Sequence, residues 1–387
     1  MDYDRPMRAH PLDLFVLSLL LGGCGSSPSD AGPGSDGDLG DATEETSSSD
    51  ARPDVRPDVV ADGATETTDA RPDVAVPSPT ADDIQFAAKN PLPLGEQILF
   101  NDWSATPNTL SSMKPDGSSP LVIFTTFRVW SMGASASGDR IAFSCADPKQ
   151  EEHYGLTIGD AIQNTFLYDA VTQKIDVLAF GNINDECHTF SGDGKHLWVC
   201  RRYDFTADAS FSGWRLGRFD LGTKAFEFVT EDAPDEYALH PQPLVTGAIE
   251  TDVWYTIITK GAKSTRSVVH RPLPTGARVT AREGADHPVL SPDGKRYVYG
   301  NSKDARTLHV SALDGTGDVK ITGAAGTSAV FSPDGTHVAY LLYDAKPNCQ
   351  HVEVVAADGS DVAAPKRIRD CATTKDFVTQ LAWVTRK

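Results

Sequence analysis

The stretch Phe331-Ser332-Pro333-Asp334-Gly335 decides the fold of this chain of 387 residues. Proline presets the backbone angle of the first turn position, the aspartate side chain accepts backbone N–H bonds, and glycine adopts the left-handed conformation. The aromatic run Val338-Ala339-Tyr340 follows almost at once. The stretch therefore predicts a hairpin that joins two antiparallel strands of one sheet.

The same turn recurs along the chain, so the sequence is a repeat. Ser291-Pro292-Asp293-Gly294 lies 41 positions before the matching turn, and degenerate copies occur at Ser137-Gly138-Asp139 and Ser191-Gly192-Asp193-Gly194. Four short strands in each of six units predict an all-β fold, a six-bladed β-propeller of four-stranded blades. A second kind of turn falls late in every unit, at Asp116-Gly117, Val171-Thr172, Leu221-Gly222, Thr275-Gly276, Asp314-Gly315 and Asp358-Gly359.

These repeats resemble those of the TolB-like, WD-related propellers, whose hallmark is phenylalanine, serine, proline, aspartate and glycine before a strand. Residues 331–335 match the hallmark fully, and we place the TolB-like propeller domain at residues 83–387. The small α/β domain that precedes the propeller of TolB has no counterpart here, so a role in the Tol system is not carried over. The first unit lacks a first strand, and we expect the segment from Phe377 to Val384 to supply it and close the ring.

The N-terminus resembles a lipoprotein signal peptide over residues 1–23. The apolar run from Leu14 to Leu21 suits a signal-peptide core and is too short to span a bilayer. Leu21-Gly22-Gly23-Cys24 resembles a bacterial lipobox, in which the cysteine receives the lipid. We predict lipidation at Cys24 and attachment to the membrane through that lipid, at the outer membrane on its periplasmic or surface face. The alternatives are an uncleaved membrane anchor and a chance leucine run.

Residues 24–82 are predicted to be a disordered linker rich in Asp, Ser, Thr and Pro. Large apolar side chains are almost absent, so the segment cannot bury enough surface to offset its chain entropy. Residues 25–81 carry a net charge of −10, and residues 82–387 carry −8 of the total −19. This acidic balance argues against nucleic acid as a partner, because nucleic-acid-binding proteins present a basic face to phosphates.

Five cysteines lie in the predicted propeller, and disulfides are stable in an exported chain. Cys349 begins the third strand of the sixth unit and Cys371 ends the fourth, so both fall at the same end of one hairpin. Cys187 and Cys200 flank one predicted turn almost symmetrically. We therefore predict the disulfides Cys349–Cys371 and Cys187–Cys200, with Cys145 as a competitor for Cys187.

Three histidines lie near the starts of predicted first strands, and the first strands of a propeller line its central channel. We expect His188, His240 and His287 to line the channel as hydrogen-bonded side chains, with no metal and no cofactor. Some propeller enzymes, such as oligogalacturonate lyases, hold a metal with channel histidines, which keeps that alternative open. A second alternative is a metal site formed by Cys145, Cys187, Cys200 and His188, although no Cys-x-x-Cys spacing supports it.

Signatures of common catalytic sites are missing from the sequence. It contains no Gly-x-Ser-x-Gly elbow, no Walker loop, no Rossmann glycine pattern and no His-Glu-x-x-His motif. We therefore predict that the chain is not an enzyme. The alternatives are a propeller enzyme that acts on polysaccharide and a small-ligand sensor.

Two long connections, Ala146–Asn164 and Arg201–Gly213, join second to third strands. Aromatic and arginine side chains on exposed loops are typical anchors of protein interfaces. We predict a monomeric protein-binding scaffold whose partner is an envelope protein or is associated with peptidoglycan; alternatively, the aromatics fold back as plugs. The candidate binding residues are His153, Tyr154, Arg201, Arg202, Tyr203, Phe205, Phe211 and Trp214.

Overall fold

The computed structural model describes nine stretches of the chain. The chain divides into two units, Met1–Val74 and Ala75–Lys387, and every described residue belongs to the second. The predicted signal peptide, Cys24 and the linker up to residue 77 lie outside the described residues. The described stretches are 78–104, 107–153, 162–203, 213–231, 233, 235–260, 264–345, 348–371 and 377–387.

Strands dominate the described residues, and the one helix there, α1 (Pro148–His153), is short. The first twelve strands are β1 (Ala87–Ala88), β2 (Gly95–Asp102), β3 (Asn108–Met113), β4 (Leu121–Thr126), β5 (Val129–Ala134), β6 (Arg140–Ala146), β7 (Gln163–Asp169), β8 (Lys174–Ala179), β9 (Ile183–Phe190), β10 (His196–Tyr203), β11 (Arg215–Asp220) and β12 (Phe226–Phe228). The others are β13 (Glu236–Thr246), β14 (Ile249–Thr259), β15 (Thr265–Pro272), β16 (Val279–Glu283), β17 (Ala285–Leu290), β18 (Arg296–Asn301), β19 (Thr307–Ala312), β20 (Val319–Phe331), β21 (His337–Asp344), β22 (Cys349–Ala356), β23 (Lys366–Arg369) and β24 (Val378–Arg386). No helix in the described stretches is long and apolar enough to cross a membrane.

The strands pair antiparallel in successive groups of four, which we number in chain order. Group 1 is β24, β2, β3 and β4, and the two-residue strand β1 pairs with β4 at its outer edge. Groups 2, 3 and 4 are β5–β8, β9–β12 and β13–β16, group 5 is β17–β20 and group 6 is β20–β23. Strand β20 serves two groups, because its first part pairs with β19 in group 5 and its last part pairs with β21 in group 6. The first strands of the groups contact one another in the cyclic order β24, β5, β9, β13, β17 and β20. These groups follow the predicted repeats, and the blade number stays a prediction.

The C-terminal strand completes group 1, as the sequence predicts. Strand β24 pairs with β2 from Gly95 opposite Arg386 to Asp102 opposite Val378. Leu381 of β24 packs in one buried cluster with side chains of groups 1 and 6. The last strand therefore joins the beginning of the propeller to its end.

The Ser-Pro-Asp-Gly stretches form the predicted hairpins. In the hairpin at residues 332–335, Ser332 Oγ donates to Asp334 Oδ1 (2.5 Å) and accepts from the His337 backbone N–H (2.9 Å). Gly335 has a φ of 71°, the left-handed conformation that the turn requires. The turns also link neighbouring groups, because Arg296 Nη2 of group 5 donates to the Gly335 carbonyl oxygen of group 6 (2.7 Å).

Candidate functional site

The first strand of every group carries one extra residue, a β-bulge, where it pairs with the second strand. In four consecutive groups a residue at the bulge has positive φ: Cys187 (58°), His240 (57°), His287 (50°) and Ser328 (48°). Such angles are uncommon outside glycine, and bulges and strained residues are enriched at functional sites. The channel side of groups 3 to 5 is therefore a candidate site.

Four side chains form what we call the channel row: Cys187, His240, His287 and Asp286. The His240 ring is near enough to the Cys187 thiol to lower its pKa, and the rings of His240 and His287 lie with their centroids 3.6 Å apart. His287 Nδ1 is 3.5 Å from Asp286 Oδ1, and Arg266 Nη1 is 2.6 Å from Asp286 Oδ2. The row therefore runs from a thiol through two imidazoles to a paired carboxylate.

The electrostatics of the row favour a charged thiol. Burial opposes charge on Cys187, but the hydrogen bond with Cys200 and the charge of His240 outweigh it and lower the pKa of the Cys187 thiol to about 6. Burial, followed by the hydrogen bond to Cys187, raises the pKa of Cys200 well above its usual range. Burial and then the facing His287 lower the pKa of His240. The two neighbouring thiols are therefore electrostatically unlike.

His188 lies apart from the other two predicted channel histidines. Its Nδ1 is 3.0 Å from Ser131 Oγ, and its Nε2 is 3.3 Å from Thr165 Oγ1. The residue is only 4% exposed, and burial lowers the pKa of its imidazole to about 4. The structure thus brings His240 and His287 together and uses His188 as a neutral, hydrogen-bonded link to group 2.

The cysteines follow the prediction in one pair and contradict it in the other. Cys349 and Cys371 form the predicted disulfide, with their Cα atoms 5.9 Å apart. The predicted bond between Cys187 and Cys200 is wrong for this structure, because both cysteines are free and the bulge places Glu186 opposite Cys200.

Cys145, the predicted competitor, is also a free thiol but lies away from the row. It is fully buried, contacts Thr126 Oγ1 at 3.2 Å, and has a thiol pKa that burial raises to about 12. Among the described residues, one group of candidate metal ligands lies within 4.8 Å of one another: Cys349, His351 and Cys371. The two sulfurs of that group form the disulfide, and neither alternative metal site is assembled in the described part of the chain.

The predicted partner-binding residues differ in their exposure and in whether the structure describes them. Arg201 is wrong as a contact residue, because it is 5% exposed and its Nε and Nη2 bond to Asp185 at 2.6 and 2.7 Å. The Arg202 guanidinium lies 4.9 Å from the centre of the Trp214 ring, and both side chains are half-buried. Outside the described residues lie Tyr154, Phe205, Phe211 and the side chains of His153 and Tyr203.

A pocket of about 360 Å³ lies between groups 3 and 4, and we call it the inter-group pocket. Two ion pairs flank it: Arg271 Nη2 lies 3.0 Å from Glu231 Oε1, and Arg278 Nη1 lies 2.6 Å from Glu236 Oε2. Sequence reasoning found only one of its residues, since the lining comes from separate strands and no local motif marks it. Its apolar lining includes Trp214, Ala238, Tyr255 and Ile257.

No family model and no curated protein matches the sequence. Among solved structures, the chain is similar to TolB from Acinetobacter baumannii (16% identity, TM-score 0.54, 78% of this chain and 68% of that chain). It is also similar to a putative TolB from Agrobacterium tumefaciens (13%, 0.50, 76% and 99%) and to Kuenenia stuttgartiensis hydrazine synthase (9%, 0.56, 76% and 47%). Such identities show the fold alone, and the neighbours include a protein named as an enzyme. Together with the strand pairing, these likenesses show that residues of the second unit fold as a TolB-like β-propeller.

Proposed function

We propose that the chain is a non-catalytic binding protein of the cell envelope, held at the membrane by a lipid on Cys24. Its propeller is a scaffold for a protein partner or a partner associated with peptidoglycan. The observation that carries this proposal is the inter-group pocket, with Trp214 and Tyr255 in its lining. Its volume of about 360 Å³ suits one or two side chains of a partner, and tryptophan, tyrosine and arginine are the residues that most often anchor interfaces.

The charges of the pocket indicate the chemistry of the partner. Arg271 is fixed by bonds from its Nε to the Gly276 carbonyl (3.0 Å) and from its Nη1 to the Val229 carbonyl (2.9 Å). Its partner Glu231 has a side chain that is 80% exposed, and so exposed an ion pair contributes only about 0–1 kcal/mol. A carboxylate of the partner can therefore replace Glu231 at Arg271. We expect a partner segment with an acidic group beside an apolar side chain.

The alternatives differ in their support. A polysaccharide lyase that uses a channel metal has no specific observation in its favour among the described residues, because the channel histidines belong to no group of candidate metal ligands within 4.8 Å of one another. A sensor of a small carboxylate ligand is compatible with the inter-group pocket. The two binding functions are separable, because a free ligand raises the melting temperature of the isolated protein whereas a protein partner co-purifies with it.

Partner capture from the solubilised envelope tests the pocket. The full-length chain is crosslinked in cells, extracted in detergent and compared with the variants Arg271→Ala and Trp214→Ala. The matched control is Lys224→Ala, which removes another exposed ion pair (to Asp176, 3.4 Å) away from the pocket. We expect both pocket variants to lose at least tenfold of the captured partner and the control to retain it. Retention by both pocket variants, with melting temperatures unchanged, contradicts the proposal.

The lipid tether has a separate test. Cys24→Ser removes the thioether position, so we expect the variant to leave the membrane fraction while the propeller keeps its melting temperature. Fractionation with and without detergent measures this. A Cys24→Ser chain that stays with the membrane overturns the anchor, and it leaves the pocket experiment valid.

A further inference from the structure

The channel row contains chemistry that the binding function does not use. Reactive cysteines in proteins are partly exposed, hold a lowered pKa and have a cationic or imidazole neighbour. Cys187 is half-buried in the bulge on the first strand of group 3, next to Glu186, which pairs with Cys200 across the sheet. Its side chain packs against the buried cluster that contains Cys200, and the His240 ring is near enough to lower the pKa of its thiol. Cys200 is fully buried behind it on β10. One half-buried thiol thus lies beside one fully buried thiol on the neighbouring strand.

This arrangement separates an attacking sulfur from a resolving sulfur. In thiol–disulfide exchange, a thiolate attacks a disulfide, and a second thiol then displaces the mixed disulfide. The charged groups that face Cys187 are His240 from β13 and Glu186 from its own strand, and of these the imidazole favours the thiolate. His287 and Asp286 lie behind His240 and hold its ring in place.

We infer that Cys187 and Cys200 form a thiol–disulfide exchange site that opens on the channel and acts on low-molecular-weight disulfides. The small size follows from the position of Cys187 on a first strand, since these strands ring the centre of the propeller. A thiol at this position can be reached by a peptide-sized molecule but not by the disulfide of a folded protein. The site is independent of the inter-group pocket, which lies between groups 3 and 4 and contains neither cysteine.

The reaction balances in two steps. The Cys187 thiolate attacks one sulfur of the reagent R–S–S–R, so that the reagent's S–S bond breaks, a Cys187–S–S–R bond forms and R–S⁻ leaves. Cys200 then attacks the Cys187 sulfur, and its proton passes to the second R–S⁻ as that group departs. The second R–S⁻ leaves, and both leaving groups take up protons. One reagent disulfide is reduced to two thiols, and the two cysteines are oxidised to one disulfide.

Oxidised glutathione, as the probe, tests the site on the full-length chain with the Cys349–Cys371 disulfide intact. Intact-mass spectrometry and peptide mapping follow the products at neutral pH. We expect the wild-type chain to lose two hydrogens and release two equivalents of glutathione. Cys200→Ala should stop at the mixed disulfide on Cys187, and Cys187→Ala should not react. Cys145→Ala is the matched control, since this buried thiol leaves the rate unchanged.

The variant His240→Ala gives a second readout, the pH dependence of the rate, which would not change if His240 had a purely structural role. Without the imidazole, the pKa of Cys187 returns toward that of a free thiol, so the pH midpoint of the rate should rise and the rate at pH 7 should fall about tenfold. Failure of Cys200→Ala to trap a mixed disulfide overturns the inference. A wild-type rate equal to that of Cys187→Ala, or a pH midpoint that His240→Ala leaves in place, also overturns it.

Discussion

The two cysteine pairs of the propeller make the most instructive comparison in the molecule. Each pair belongs to one strand group and looks equally suited to a crosslink, yet Cys349–Cys371 is a disulfide and Cys187 and Cys200 are thiols. The first pair joins the start of β22 to the residues after β23, away from the first strand of its group. The second includes a bulged residue with a φ of 58° on a first strand, beside the channel. Symmetric placement around a hairpin therefore predicts that two cysteines lie close together. The local bulge determines whether the pair serves as a crosslink or remains as two thiols.

A buried ion pair takes the place of the crosslink in group 3. Arg201 and Asp185 lie opposite each other on β10 and β9, and the Asp185 side chain is fully buried. Asp185 also accepts from Thr165 Oγ1 at 2.7 Å, which extends the network to group 2. The strand pair that carries both thiols is thus fastened without using their sulfurs.

The largest expected effect comes from breaking that ion pair. Arg201→Ala leaves the Asp185 carboxylate buried without its cation, so the free energy of unfolding should fall by about 3–5 kcal/mol. Urea denaturation measures the loss, and Lys224→Ala, which removes an exposed pair, is the control at about 0–1 kcal/mol. A loss below about 1 kcal/mol for Arg201→Ala would show that group 3 is held by other contacts.

The next effect separates the two cysteine pairs directly. Replacing Cys349 and Cys371 by alanine removes a crosslink across 22 residues, which should cost about 3 kcal/mol. Replacing Cys187 and Cys200 by alanine removes no crosslink and should cost only about 1 kcal/mol from lost packing. Denaturation of both double variants under non-reducing conditions compares their losses in free energy of unfolding. Equal losses would contradict the difference between the two cysteine pairs.

The smallest effect concerns His188, the neighbour of Cys187 that stays out of the channel row. Its folded pKa of about 4 lies below the ordinary value of 6.5, so the native state favours the neutral ring. The unfolded chain therefore binds more protons between these values, and stability is present above pH 6.5 and is lost as the pH falls toward 4. The full loss is about 3 kcal/mol at most, and only part of it falls within the range above pH 5.

His188→Gln keeps a hydrogen-bonding side chain and removes the titration. Its free energy of unfolding should vary less with pH than that of the wild-type chain between pH 6.5 and 5, as chemical denaturation at several pH values will show. A wild-type slope in the variant would mean that other groups cause the pH dependence.

The sequence predicts the features whose causes are local. The hairpin at Ser332 to Gly335 depends on hydrogen bonds within six residues, so its motif is sufficient to predict it. The pairing of β24 with β2 was also predictable, because a strand-like C-terminus had no other partner. These local and topological signals fixed the propeller fold.

The channel row and the inter-group pocket could not be predicted in the same way. The bulge that turns Cys187 toward His240 depends on register between strands, and the sequence around residue 187 contains no glycine to announce a positive φ. Nothing in the local sequence marks Arg201 as buried, because its partner Asp185 lies across the sheet and not beside it in the sequence. The pocket joins side chains from Trp214 to Arg278 that meet only when two groups pack.

The rate at which each cysteine of the folded, full-length chain is alkylated tests most directly whether Cys187 is the reactive thiol of the propeller. A short pulse of iodoacetamide at pH 7, followed by peptide mass mapping, reports every cysteine of the propeller in one experiment. We expect Cys187 to be labelled at least tenfold faster than Cys145 and Cys200, and Cys349 and Cys371 to remain unlabelled. Labelling of Cys187 no faster than the buried Cys145 would contradict it.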